Sequence, residues 1–328
     1  MSGGLSMKYS GIGGQAVLEG VMMRNKDQYA VAVRKSDGDI VIKKDKCGSL
    51  TQKSAFFRAP FIRGVFNFID SLTLGMSSLN FSSSFFAEEE DEKSKAKTEA
   101  QKKREDAIMN VITIIISVVL AVGIFLVGPW LIADRVLGSI INNKYLVVLI
   151  EGVMRVILFI AYIALIQLMP DIKRLFMYHG SEHKCINCIE HGMELTVENV
   201  RKSSRFHKRC GTSFLLIVMI ISILVLMLVQ FDSRWLRLLM RILLIPVIAG
   251  ISYEFLRAAG THDNPVMNFL SQPGLALQRL TTKEPEDDMI EVGIASVEAV
   301  FDWKGYLTEN FNMHYEDAQA GEDADDAE

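Results

Sequence analysis

The stretch Met109–Ile132 reads MNVITIIISVVLAVGIFLVGPWLI and carries no charged residue. An α-helix rises about 1.5 Å per residue, so a run of this length crosses the roughly 30 Å hydrocarbon core of a bilayer. Backbone polar groups in lipid have no water to bond to, and a helix satisfies them internally. The stretch therefore predicts a transmembrane helix.

Three further apolar runs have the length of a span: Tyr145–Met169, Thr212–Phe231 and Arg237–Phe255. We interpret all four runs as transmembrane helices. The alternative is two spans and two buried helices of a soluble domain. The predicted fold is mainly α, a polytopic membrane protein with four transmembrane helices in a domain covering 109–258.

Charged residues occur inside two of these runs. Glu151 and Arg155 lie four residues apart, which places them on one face of a helix where they can pair. Arg241 and Glu254 add charge to the fourth run. Such groups usually face a bundle interior or a cavity, so the pair either fixes helix packing or lines a substrate path.

The basic residues indicate the orientation of the spans. Lys102, Lys103 and Arg104 precede the first run, and the connection 171–211 holds eight lysines and arginines. The other two connections are short and carry few basic residues. Because basic loops stay in the cytoplasm, we expect both termini and the connection 171–211 to be cytoplasmic.

The N-terminal region, 1–54, is predicted to be a small β-containing cytoplasmic domain. Apolar residues alternate on both sides of Ser36–Asp39, which predicts a β-hairpin over Tyr29–Lys46. The glycine-rich stretch Gly11–Arg24 lacks the Lys-Ser or Lys-Thr of a phosphate loop. Its glycines are therefore expected to permit close backbone approach.

The remaining segments are assigned by composition. Segment 55–87 is aromatic and apolar, and it is predicted to be amphipathic and interfacial; a re-entrant segment and a buried helix of the N-terminal domain are the alternatives. The other predicted segments are a charged linker over 88–108, cytoplasmic helices over 259–312 and a disordered acidic tail over 313–328. The acidic tail argues against nucleic acid as a partner, because it would repel phosphates.

Potential metal ligands concentrate after the second run, where Tyr178–Cys188 reads YHGSEHKCINC. Four of the six histidines and three of the four cysteines lie within 179–210. On a helix, His179 and His183 are one turn apart and could hold one zinc ion, with Glu182 as a general base. Glu190, Glu194, Glu198 and His207 are candidates for a third ligand, although Gly180 weakens the required helix.

A second arrangement uses the cysteines. Cys185 and Cys188 form one short pair, and His207 and Cys210 form another, which is typical of structural zinc sites. Four cysteines in a reducing compartment do not indicate a disulfide framework. The third interpretation is that these are ordinary polar residues at the membrane interface, with no metal.

With these motifs the chain resembles the DUF1385 family of bacterial membrane proteins, often labelled YqhQ-like. The resemblance covers nearly the whole chain apart from the charged linker and the acidic tail. It rests on stretches that begin at Gly13, Pro60, Tyr178, Leu195 and Pro273: GGQAVLEGVMMR, PFIRGVFNFIDSLTLG, YHGSEHKCINCIEHG, LTVENVRKSSRFHKRCGTSFL and PGLALQRLTTKEPEDDMIEVGIASVEAV.

The resemblance implies a location in the bacterial inner membrane and a metal-dependent activity without an established reaction. The family pattern is H-G-A-E-H-K-T with a cysteine soon after, then H-P-R-C-G-T. Cys185 departs from it where the family has Thr, and Lys208 where it has Pro. The departure at Cys185 disfavours the four-ligand zinc site. The matching residues are His179, Glu182, His183, Cys188, His207 and Cys210.

The leading hypothesis is therefore a hydrolytic, metal-dependent membrane enzyme acting at the cytoplasmic face. Glu182 is the expected catalytic residue, zinc the expected cofactor, and the expected metal ligands are His179, His183, Cys188, His207 and Cys210. A non-enzymatic membrane scaffold or assembly factor is the alternative, and a transporter built around Glu151 and Arg155 is the third candidate. The expected partners are the lipid bilayer and further copies of the chain; the sequence names no substrate.

Overall fold

The protein is described by a computed structural model that covers residues 7–48, 54–86, 99–229, 231, 233–261 and 264–313. Most of the predicted charged linker, 88–98, lies outside these residues. So does the predicted acidic tail beyond residue 313. The last part of the predicted linker, 99–108, is the start of a helix that begins at Glu99.

The described residues are mainly helical, with one small sheet at the N-terminal end, as the sequence predicted. The strands are β1 Gly13–Val17, β2 Gly20–Asn25, β3 Gln28–Arg34 and β4 Ile40–Lys46. The helices are α1 Ala55–Arg58, α2 Ile62–Ser83, α3 Glu99–Val122, α4 Gly128–Ile132, α5 Gly138–Ile140, α6 Lys144–Ile166, α7 Pro170–Glu190, α8 Val197–Lys202, α9 Gly211–Leu228, α10 Arg234–Leu243, α11 Ile245–Thr261, α12 Pro265–Thr281, α13 Asp287–Glu298 and α14 Trp303–Phe311. Two π-helical stretches, Gly123–Val127 and Ala133–Leu137, join α3, α4 and α5 into one helical run.

The chain divides into two compact units that interleave along the sequence. The first unit comprises 1–47, 174–207 and 282–328, and the second comprises 48–173 and 208–281. The domain boundaries expected from the sequence stay predictions.

The first unit contains a four-stranded antiparallel sheet in the order β1-β2-β3-β4. The predicted hairpin is β3 and β4, with Val33 opposite Val41. Its turn closes through a bond from the Lys35 N–H to the Asp39 carbonyl oxygen, 2.9 Å. Gly38 adopts φ +97° there, a conformation that favours glycine.

The core of the first unit draws on all three of its chain segments. Ala30 and Ala32 of β3 are fully buried against α13, because the small alanines let a helix approach the strand. Ile186 and Ile189 of α7 join the same apolar cluster. Burying these side chains contributes roughly 1.5–3 kcal/mol for each large aliphatic residue. The sheet is therefore one layer of a larger α+β unit.

The second unit contains the apolar helices. Three of them are long and apolar enough to cross a membrane: Val111–Ile140, Lys144–Ile166 and Gly211–Leu228. The pair Trp235–Leu243 and Ile245–Thr261 qualifies when taken together and bends by 41° between its members. Three of the predicted spans are thus continuous helices, and the fourth is a broken pair that is either one span or a re-entrant loop.

Helix α9 lies at the centre of the second unit and packs against α6, α11 and α12. The pairing of Glu151 with Arg155 is confirmed, with Nη2 to Oε1 at 2.8 Å. Glu254 pairs instead with Arg63 of α2, Nε to Oε1 at 2.7 Å. Helix α2 therefore belongs with the apolar helices of this unit and not with the N-terminal sheet.

Candidate metal centre

The candidate ligands of the first unit project from one polar face of α7. At 3.6 residues per turn, His179, Glu182, His183 and Glu190 fall within about a third of the helix circumference. All four side chains are buried, and Glu190 is completely so. The stretch quoted from Tyr178 is thus a helix with a buried polar stripe.

Gly180 interrupts the motif, yet the helix runs through it. A Cβ atom added at Gly180 would lie 2.0 Å from the carbonyl oxygen of Lys283. The Lys283 N–H donates to the Phe176 carbonyl oxygen at 2.9 Å, which holds this segment against the helix. The cost of a glycine in a helix is therefore offset by close packing of a second backbone.

The ring of His183 is fixed in one tautomer. Its Nδ1 atom lies 2.7 Å from the carbonyl oxygen of Arg205. A carbonyl oxygen only accepts hydrogen bonds, so Nδ1 carries a hydrogen, and in the neutral imidazole Nε2 then keeps its lone pair. This arrangement is the one that prepares a histidine to bind a metal ion through Nε2.

Two neighbours of His183 hold the segment 201–206 against α7. Lys184 donates through Nζ to the carbonyl oxygens of Arg201 and Ser203, at 2.8 and 2.9 Å. Asn187 donates through Nδ2 to those of Ser204 and Phe206, at 2.6 and 2.9 Å. With the bond from His183, five carbonyl groups of this short segment are satisfied by one helix. The segment that supplies His207 is therefore rigidly placed.

His179 lies one helical turn before His183. The two ring centroids are 4.4 Å apart at an interplanar angle of 63°. One ring nitrogen of His179 lies within 4.8 Å of one ring nitrogen of His183. Small rotations of the two side chains would let both nitrogens bind the same metal ion. The Glu182 Oε2 atom is 4.0 Å from His179 Nε2, so a carboxylate stands beside the pair.

His207 extends the row of imidazoles. Its ring centroid lies 5.6 Å from that of His183, and its Nε2 lies 3.4 Å from Glu190 Oε2. The other oxygen of Glu190 accepts hydrogen bonds from Ser10 N and Oγ, at 2.9 and 2.7 Å. A carboxylate that is held in this way orients a histidine and raises its basicity.

Cys185 and Cys188 do not join this face. Cys188 lies nine residues after His179, which places it on the opposite side of α7. Its thiol lies 3.2 Å from the Glu194 carbonyl oxygen, and burial raises its pKa to about 12. Cys185 is in the apolar core, where burial raises its pKa, and it packs against Gly293 of α13. Cys210 belongs to the second unit, where it precedes α9 as the N-cap residue.

Residues 59–303 match the family described as "Protein of unknown function (DUF1385)". The chain belongs to the DUF1385 family. It is 38% identical over 287 residues to "Uncharacterized protein YqhQ" of Bacillus subtilis (strain 168), an alignment that covers 87% of this chain and 90% of that protein. No solved structure matches the chain. The family resemblance inferred from the sequence is confirmed.

The matched range of the DUF1385 family includes all of α7 and His207, but not Ser10. The structure places His179, Glu182 and His183 side by side on α7, and it places His207 next to His183. Sequence reasoning missed Lys184 and Asn187, which hold the His207 segment, and Ser10, which binds Glu190. Lysine and asparagine are mostly exposed in proteins, so nothing in the sequence indicated that Lys184 and Asn187 are buried.

Proposed function

We propose that this DUF1385 protein is a metal-dependent enzyme of the bacterial inner membrane, hydrolytic in type, whose centre lies on α7. The observation that carries the proposal is the hydrogen bond from His183 Nδ1 to the Arg205 carbonyl oxygen, 2.7 Å. It leaves the lone pair of Nε2 available next to His179.

The donor set fits zinc. Neutral imidazole nitrogen is among the preferred ligands of this ion, and His179 and His183 offer two such nitrogens one turn apart. The carbonyl bond of His183 and the carboxylate beside His207 are the outer partners that metal-bound histidines usually have. Zinc lowers the pKa of water and polarises carbonyl groups.

Glu182 is the proposed general base. Its carboxylate lies 4.0 Å from His179 Nε2, close enough to accept a proton from a water molecule beside the imidazole pair. The Glu182 side chain packs against strand β1 at Gly14, where an added Cβ atom would lie 2.8 Å from Glu182 Cγ. The glycine of the N-terminal strand thus makes room for the base, and the carboxylate is held in one position.

His207 is the proposed third ligand, through the ring nitrogen that does not face Glu190. Cys210 follows His207 by three residues, and on that spacing it stays a candidate ligand. Cys188 is left out of the proposed ligand set, because it lies on the opposite side of α7.

The chain segments that make up the first unit support four spans with both termini on one side of the membrane. Its core contains residues from before 47, from 174–207 and from beyond 282, and a unit with one core lies on one side of a bilayer. The chain must then cross an even number of times between 47 and 174 and again between 207 and 282. The second interval contains Gly211–Leu228 and the bent pair, so we propose that α10 and α11 cross as one broken span.

The distribution of basic residues favours the cytoplasm as that common side. The connection 171–211 carries eight lysines and arginines, whereas the turn between the first two candidate spans is only three residues long, 141–143. The proposed enzyme therefore acts at the cytoplasmic face of the inner membrane.

A scaffold or assembly factor with a structural metal site is the second candidate. The observation that favours it is burial, because His183 is only 1% exposed and His179 9%. A structural site is closed, whereas a catalytic site keeps a position open to substrate. In this case the metal would tie the segment 201–207 to α7.

Hydrolysis of p-nitrophenyl esters and phosphates by the purified, zinc-loaded protein separates the two. An enzyme predicts turnover that falls by at least about 100-fold in Glu182→Gln while zinc is retained. The matched control is Glu309→Gln, an exposed carboxylate on α14, which should leave turnover unchanged. A protein that binds zinc, hydrolyses none of these probes and unfolds when the metal is removed would favour the scaffold.

A further inference from the structure

Three charged side chains of the second unit are buried among its apolar helices. Glu151 and Arg155 lie on α6 and Arg241 on α10, and they are 2%, 6% and 5% exposed. Such groups are costly inside a bundle of apolar helices unless their charges are compensated. Their pairing therefore shows whether the cluster is complete.

The cluster has one carboxylate for two guanidinium groups. Arg241 binds both oxygens of Glu151, with Nη2 to Oε2 at 2.7 Å. Arg155 donates to Oε1 of the same carboxylate at 2.8 Å and to the Ser222 hydroxyl at 3.3 Å. Arg237 lies one turn before Arg241 and is paired with Asp134 at 3.0 Å. These five charged groups sum to one net positive charge.

Two hydrogen-bond donors of the cluster also lack an acceptor among the residues that the structure describes. They are the buried Nε atoms of Arg155 and Arg237. A buried N–H group without a partner loses the hydrogen bond it made to water and gains nothing in return. The cluster thus has a surplus positive charge and unsatisfied donors. An anion beside Arg237 would compensate the charge and accept from the Arg237 donor.

A small cavity lies next to these groups. It is lined by Arg237, Arg241 and the apolar side chains Val148, Leu226, Val229 and Met240, and its volume is about 10 Å³. That is near the smallest volume that holds one water molecule. The radius of a chloride ion is about 0.4 Å larger than that of a water molecule, so chloride is the common anion nearest to this size, whereas a phosphate or carboxylate group needs several times this space.

We propose that this cavity is a binding site for a small inorganic anion of halide size, held by Arg237 and Arg241 and neutralising the buried cluster. Chemical size selects the ligand, because the apolar wall leaves no room for oxyanions. A water molecule would fill the space but would leave the surplus charge uncompensated. The site is separate from the proposed metal centre, which uses none of these residues.

The test is a chloride titration of the purified full-length protein in detergent, with gluconate replacing chloride at constant ionic strength. We expect chloride to raise the melting temperature with a saturable dependence. In Arg237→Gln the apparent dissociation constant should weaken at least about tenfold, as expected for the loss of a hydrogen bond from a charged donor. The control is Arg135→Gln, an exposed arginine of the same unit, whose titration should match the wild type.

A second variant keeps the test valid if Arg237→Gln fails to fold. Val148→Ile adds one methyl group to the cavity wall without changing a charge, and it should weaken the chloride response as well. Anomalous scattering from bromide inside the cavity would identify the site directly. The proposal would be overturned if the melting temperature did not change when chloride replaced gluconate. It would also be overturned if wild type, Arg237→Gln and Val148→Ile responded equally to chloride. Either result would mean that the cavity holds only a buried water molecule.

Discussion

The ammonium group of Lys184 lies 2.9 Å from the carbonyl oxygen of Ser203, and both residues are buried. A buried lysine is rare unless it is paired, and here it forms an ion pair with Glu284 at 2.9 Å and donates to two backbone carbonyls. The same segment places His207 beside His183. Lys184 is therefore a positioning residue for the proposed centre.

Replacing this lysine should loosen the centre. Lys184→Met keeps the volume but leaves the carbonyls of Arg201 and Ser203 without donors, so we expect the free energy of unfolding to fall by about 2–3 kcal/mol. Thermal melting of the detergent-purified protein measures this. Lys202→Met removes an exposed lysine that pairs with Glu198, and it should not change the melting temperature. Equal effects of the two substitutions would contradict the role of Lys184.

In Gly180→Ala, helix propensity and packing have opposite effects on stability. Alanine favours a helix by about 1 kcal/mol over glycine, but its Cβ atom would lie 2.0 Å from the Lys283 carbonyl oxygen. Overpacking of this kind costs about 1–3 kcal/mol, so we expect a net loss of stability in thermal melting. At Gly211 of α9 no atom lies within 4 Å of the added Cβ, and Gly211→Ala should be neutral or stabilising. A Gly180→Ala protein that is more stable than the wild type would show that the Lys283 backbone does not contact Gly180.

The stability of the first unit should depend on pH above neutrality. Burial raises the pKa of Cys188 from its ordinary value of 9.0 to about 12, so the folded state holds this proton more tightly than the unfolded chain. Its contribution to stability is complete below pH 9.0 and is lost as the pH rises towards about 12. Between pH 9 and pH 10 the loss is about 1 kcal/mol.

Cys188→Ala isolates this effect from the titration of lysines. The variant is less stable overall because it loses a buried side chain, but its melting temperature should fall less steeply with pH than that of the wild type. Parallel profiles would mean that the Cys188 thiol is already accessible to water in the folded protein.

The apolar helices and the hairpin could be predicted because each depends on a short stretch of sequence. A run such as Met109–Ile132 has one stable structure in a bilayer whatever surrounds it, and the turn at Ser36–Asp39 sets the register of its two strands. The break between α10 and α11 could not be located in this way. The chain bends at Leu244, two residues before Pro246.

The candidate centre could be predicted only in part. The spacing of His179, Glu182 and His183 gave the helical face directly, since it follows from the period of the helix. The contact between Ser10 and Glu190 joins residues 180 positions apart, and no local pattern encodes it. The connection 171–211 was expected to be a loop between spans; it is largely α7 and α8, because burial in the first unit stabilises helices that the polar sequence does not favour by itself.

The proposed topology can be tested with Cys47, which is partly exposed, whereas the three other cysteines are buried. A membrane-impermeant maleimide should label Cys47 in inverted inner-membrane vesicles and not in intact spheroplasts. Ser139→Cys in a Cys47→Ala background tests the opposite side, because Ser139 is exposed next to the short turn 141–143. Labelling of Cys47 from outside, or labelling of the Ser139→Cys variant only from inside, would reverse the orientation.

The zinc content of the purified protein tests the central claim most directly. We expect about one zinc ion per chain in the wild type, measured by mass spectrometry after removal of loosely bound metal. His183→Ala should lose it, and Glu182→Gln should retain it. The control is His191→Ala, an exposed histidine one residue beyond α7, which should retain it as well. A folded wild-type protein without bound metal, or equal zinc in His183→Ala and His191→Ala, would contradict a metal centre on this helix.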